Sequence, residues 1–216
     1  MFDVGFFELM ILMGIAVVVI GPQNLPKLAK AIGKGWGEFQ TTFSGLKQEV
    51  MDEAEGIKQT VNIDALDAPG QAAALAALEA WTAVSGLQFT LTSGAADITF
   101  DDTESGAYAY SSIYTSLNQI AESFVNVNPS WQSYGDYYYQ TYIHEIGHAL
   151  GLGHGGNYNG AASFGTDAHY ANDSWQMSIM SYFAQWENPN IDASGMYLAT
   201  PQMADILAIQ NLYGTP

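Results

Sequence analysis

Three of the chain's four histidines fall in one eleven-residue window, His144-Glu145-Ile146-Gly147-His148-Ala149-Leu150-Gly151-Leu152-Gly153-His154. No other feature restricts the fold as much. Side chains four apart on an α-helix share a face one turn apart, so His144 and His148 aim two imidazoles at one point. Glu145, beside them, can reach a water held at that point. The third ligand must come from beyond the helix. Gly151, free to take positive φ, ends the helix and turns the chain so that His154 swings back to complete a three-histidine site with an open position. One Zn²⁺ suits this donor set. His169, the fourth histidine, has no such setting and reads as a surface or supporting residue. The chain has no cysteine, which excludes thiolate ligands, a thiol nucleophile and a disulfide framework.

The sequence around this window predicts an α+β domain with a small twisted sheet and helices. Asp67 or Ala68 starts a helix with Pro69 in its first turn, and Leu75, Leu78, Trp81 and Val84 line one face until Gly86 stops it. Alternation predicts strands at 87–91, 96–100 and 106–110, with a fourth at 124–127. A helix from about Asp136 to Leu150 carries the first two histidines. Thr200 as cap and Pro201 at the first position announce a last helix with Met203, Ile206, Leu207 and Leu212 on its buried side. A strand before the Leu75 helix is weak or missing.

The charges divide the chain in two. All five basic residues, Lys27, Lys30, Lys34, Lys47 and Lys58, lie in residues 1–58 with seven acids, a net of −2, whereas residues 59–216 carry fifteen acids and no base. A boundary near 56–68 follows, giving pieces 1–58 and 59–216. The formal −17 excludes binding to a nucleic-acid backbone.

In the first piece, Val4 to Ile20 is apolar but for Glu8 and reads as a membrane helix, broken by Gly21-Pro22. Its flanks lack the basic start and small-residue cleavage site of a signal peptide. Glu8 is either a hydrated residue near the interface or an intramembrane functional group. Leu25, Leu28, Ile32, Trp36, Phe39 and Phe43 then recur at helical spacing opposite the lysines, as in an interfacial amphipathic helix.

These first residues, with Glu8, the Gly21-Pro22 hinge and Pro26, resemble a B-type or A-type subunit of the twin-arginine protein translocase. That likeness implies a bacterial inner-membrane location, other translocase subunits as partners, and a cytoplasmic position for whatever follows the hinge, in keeping with the lysines just past the helix.

HEIGHALGLGH resembles the zinc signature of the metzincin proteases, and HEIGHALGLGHGGNYNG followed by Ser178-Ile179-Met180-Ser181-Tyr182 resembles the serralysin branch, over residues of about 68–215. The likeness implies a zinc metalloendopeptidase acting on peptide or protein substrates. By the same likeness, His144, His148 and His154 are ligands and Glu145 is the general base. Met180 becomes the Met-turn residue under the metal, and Tyr182 a further ligand at rest that supports the oxyanion. Ala107, Tyr108 and Ala109 then form the edge strand where an extended substrate adds. Without it, Met180 and Tyr182 would read as core residues. Serralysin likeness also implies secretion, in conflict with the translocase likeness. Gly155 and Asn157 stand where that family has Pro and Asp, so the surroundings of His154 are expected to differ. Calcium stays open, since the chain carries no glycine-rich nonapeptide repeat for it.

Overall fold

A computed structural model of the chain describes residues 57–115 and 119–216. The expected membrane helix over 4–20, with Glu8, and the Gly21-Pro22 hinge and amphipathic helix lie outside the described residues. No helix among the described residues is long and apolar enough to cross a membrane.

A five-stranded sheet forms the frame, with β1 (Ile57–Asn62), β2 (Leu87–Leu91), β3 (Ile98–Asp101), β4 (Ala107–Tyr114) and β5 (Gln119–Val127) in the order β2-β1-β3-β5-β4. The first four in that order run parallel, and β4 pairs antiparallel with β5 alone, so β4 forms one edge. β1 is the strand that the sequence shows weakly or not at all. Its residues are mostly polar, but the Thr60 hydroxyl and N–H both donate to Asp97 Oδ2, at 2.6 and 2.7 Å, and this replaces part of the apolar signal a buried strand normally shows.

Helix α1 (Ala68–Thr82) starts where Asp67 accepts the Gly70 N–H at 2.8 Å, with Pro69 in its first turn. It buries Ala74, Ala77, Leu78 and Trp81, while Leu75, expected on the inner face, is exposed. α2 (Asp136–Ala149) is the central helix. Trp81 is fully buried between α1 and α2 and donates its indole N–H to Ile143 O at 3.0 Å, fixing the two helices together. Burial of a side chain of that kind stabilises by roughly 2–3 kcal/mol. Ile143, Ile146 and Leu150 meet Val61, Ile98 and Val125 of the sheet in the same core.

One α-helical turn, α3 (Phe164–Asp167), and a 3-10 turn at Gln185–Glu187 interrupt the long irregular region after α2, and α4 (Met203–Tyr213) closes the chain. α4 starts later than Thr200 and Pro201 suggest and turns the other way. Gln202 is its N-cap, Asp205 and Ile209 are buried, and Met203, Leu207 and Leu212 point to solvent. The inward face is set by hydrogen bonds donated to the Asp205 carboxylate together with the packing of Ile209.

Candidate active site

Helix α2 carries His144 and His148 on one face, and Gly151, at φ +96°, turns the chain back so that His154 meets them. The Nε2 atom of His154 lies 3.2 Å from that of His144 and 2.9 Å from that of His148. Each Nδ1 faces a backbone carbonyl at 2.8 Å: Ile179 O for His144, Leu152 O for His148 and Tyr158 O for His154. A carbonyl only accepts, so each ring carries its proton on Nδ1 and directs an Nε2 lone pair at the others. Three lone pairs converging with no proton among them repel, and a cation at their centre makes the same arrangement favourable. Zinc binds imidazole at about 2.0–2.1 Å, which for tetrahedral angles puts ligand nitrogens roughly 3.4 Å apart, close to the spacing found.

The electrostatics agree with a neutral ligand set. Burial, reinforced by the neighbouring imidazoles, lowers His144 to about 3 and His154 to about 4, and burial lowers His148 as well. Glu145 responds oppositely, pushed up to about 8 by burial alone. No hydrogen bond among the described residues engages its carboxylate. It borders both cavities that meet here, one of about 920 Å³ along β4 and one of about 410 Å³ toward Trp131 and Trp175.

Met180 is buried under α2, against Gly147. Its turn is held by Asp205, whose Oδ2 accepts the Ile179 N–H at 2.7 Å and whose Oδ1 accepts the Ser178 hydroxyl at 2.6 Å. Ile179 thus links Asp205 on one side of its peptide to His144 on the other. The Tyr182 ring lies 4.4 Å from that of His154, and its hydroxyl accepts the Gly160 N–H at 3.4 Å. Ala107, Tyr108 and Ala109, on the edge strand β4, line the larger cavity. His169 is exposed and stands outside the histidine cluster. Asp205, Gly147, Tyr158 and Asp173 escaped the sequence reading. Only a carboxylate in an otherwise apolar helix, MADILAIQ, hinted at the first.

A sheet with one antiparallel edge strand, a helix under it bearing two histidines and a third histidine after a glycine turn define a metzincin-like zinc protease fold. The chain is similar to a serralysin from Photorhabdus sp. (strain Az29), 33% identical over 91% of this chain and 45% of the relative. It is also similar to serralysin C of Dickeya chrysanthemi, 51% identical over 40% of this chain and 18% of that one, and to metalloprotease AprA of Pseudomonas entomophila (strain L48), 36% identical over 64% and 32%. The chain therefore spans less than half the length of these relatives. Among solved structures it resembles a high choriolytic enzyme, a hatching enzyme zinc-protease from Oryzias latipes, with a TM-score of 0.49 at 17% identity, covering 74% of this chain and 90% of that one. Residues 2–49 match the model of the mttA/Hcf106 family. The chain thus joins a translocase-subunit-like segment to a region resembling the serralysin-type metzincins. Those relatives imply Zn²⁺ as the cofactor, and His144, His148 and His154 form a cluster able to hold a metal ion.

Proposed function

We propose that this chain is a zinc-dependent metalloendopeptidase whose catalytic domain, read from the charge boundary as 59–216, takes in the whole of β1 and so begins by Ile57. The observation that carries the reading is the convergence of three Nδ1-protonated histidines beside a buried, unpartnered Glu145 in an open cleft. Zn²⁺, held by His144, His148 and His154, supplies Lewis acidity that activates water and polarises the scissile carbonyl. The burial that raises Glu145 makes its carboxylate a stronger proton acceptor, so it takes the proton from the attacking water and passes it to the leaving amine. The Tyr182 hydroxyl, bordering both cavities, donates to the carbonyl oxygen as charge develops there. An extended peptide pairs with the edge strand at Ala107–Ala109, which places its backbone along the same cleft.

The residues before β1 form, on this reading, an inner-membrane segment that sets the enzyme's address. The match over residues 2–49 also favours a second reading, in which the chain is a translocase component and the protease-like domain an inert passenger. Zinc content and casein cleavage by the full chain, beside the Glu145→Gln variant, separate the two. One zinc per chain with cleavage lost in the variant supports the enzyme. Zinc-loaded but inert protein supports the passenger, and protein that binds no zinc refutes the metal-site reading.

A further inference from the structure

His144 and His148 are fixed by a helix, but His154 sits in a segment, Gly151 to Gly160, with no regular structure and five glycines: Gly151, Gly153, Gly155, Gly156 and Gly160. Such a segment loses more entropy on ordering than any other composition, and past the Gly151 and Leu152 N–H bonds back to α2 no helix or strand ladder holds the third ligand in place. Tyr158 is the single buried residue in it.

Tyr158 contacts His154 in two ways. Its carbonyl accepts the Nδ1–H at 2.8 Å, and its ring stacks on the imidazole at 5.2 Å between centroids and 26° between planes. The hydroxyl donates to the Asp173 carboxylate, 3.2 Å from Oδ1 and 3.1 Å from Oδ2. Asp173 is buried, and its backbone is tied on both sides, its N–H to Tyr170 O at 3.1 Å and its carbonyl to the Asn188 side-chain amide at 3.0 Å. The glycines around Tyr158 fit the same arrangement. A Cβ at Gly155 would lie 3.2 Å from Asp173 Oδ1, and one at Gly156 would lie 2.6 Å from Asp167 O and 2.8 Å from the Tyr158 ring. The loop closes onto this pair because those two positions carry no side chain. A buried carboxylate is costly to desolvate, and among the described residues this one receives a single hydroxyl, so packing alone gives no reason for it.

We infer that Tyr158 and Asp173 are a positioning pair that sets the location and ring orientation of His154, the third metal ligand. The inference rests on the zinc reading above and concerns how the site is held rather than what it does. Removing the tie leaves the loop's backbone free, so the entropy of ordering His154 must be recovered at each binding event and metal affinity falls. Partners one step removed from a ligand carry effects of about 10–100-fold.

The test uses the full chain as wild type, Tyr158→Phe, Asp173→Asn and Asp173→Ala. Zinc dissociation constants come from chelator competition, visible spectra from the Co²⁺-substituted proteins, and melting curves from the metal-free proteins. The expected result is zinc binding weakened about 10–100-fold in Tyr158→Phe and Asp173→Ala, with an altered cobalt spectrum, in proteins whose metal-free melting curves fall but show them still folded at the temperature of the binding assay. Asp173→Asn keeps an acceptor for the hydroxyl and falls between. Wild-type affinity and spectrum in Tyr158→Phe overturn the inference while leaving the zinc reading intact, and so does an affinity loss that only follows a loss of metal-free folding. Tyr158→Phe removes one oxygen and decides the matter if Asp173→Ala does not fold. A wild type that binds no zinc overturns the zinc reading itself and the inference with it.

Discussion

Met180 occupies the space a side chain at Gly147 would need: a Cβ there would lie 2.5 Å from the Met180 sulfur and 3.1 Å from Trp81 Cζ2. The glycine inside the histidine window is therefore a packing requirement that brings the Met180 turn up against the zinc helix. Gly147→Ala is expected to destabilise the protein by about 1–3 kcal/mol despite alanine's better helix propensity, because the Met180 thioether and the Trp81 ring must both shift within the core. Urea unfolding checks it. Adding Met180→Ala should recover part of the loss, a non-additivity that a pure backbone effect would not show.

Asp205 is expected to matter more than an ordinary helix residue. Asp205→Ala leaves the Ser178 hydroxyl and the Ile179 and Gln202 N–H groups without their acceptor. Each buried donor so orphaned costs about 1–3 kcal/mol, and the loss should also loosen the carbonyl that orients His144. Denaturant unfolding together with zinc affinity measures both effects. Unchanged zinc affinity in a folded Asp205→Ala protein would show that the Met180 turn holds its position without the carboxylate.

The parts legible in the sequence were those with local causes. The histidine window works through spacing along one helix and one glycine turn, and α1 is announced by Asp67 and Pro69. β1 was missed because its partners replace hydrophobicity with a hydrogen-bonded side-chain pair, Thr60 and Asp97, 37 residues apart. The orientation of α4 was missed for the same reason, since Asp205 is pulled inward by residues 26 and 27 positions away. Asp173 acts on His154 through Tyr158, 15 residues earlier, a relation no periodicity records.

The metal-free protein should have a stability maximum near neutral pH. His144 and His154 are held at about 3 and about 4 in the fold against an ordinary 6.5, and His148 is lowered too. Below about pH 6.5 the unfolded chain therefore binds protons that the fold refuses, and stability present above that value is lost as pH falls. Glu145 has the opposite sign. At about 8 in the fold against an ordinary 4.5, it keeps a proton that the unfolded chain has released, so stability falls as pH rises toward 8. Each group contributes a slope of up to about 1.4 kcal/mol per pH unit. Urea midpoints from pH 5 to 8.5 in chelator should peak near 6.5, and Glu145→Gln should flatten the alkaline side. An alkaline slope unchanged in that variant would place the proton elsewhere.

Substrate charge should affect the rate of encounter more than the chemical step. Residues 59–216 carry fifteen acids and no base, so the cleft sits in a field that attracts cations over several ångströms beyond contact. Peptides matched in sequence around the scissile bond but carrying distant Lys or Glu residues should differ in kcat/KM in favour of the cationic series at low salt. The Debye length is about 30 Å at 0.01 M and about 3 Å at 1 M, so added salt should bring the two series together. A preference that persists at 1 M salt would instead locate the discrimination in direct contacts at the cleft. Equal rates at low salt would show that the acids lie where the substrate does not feel them.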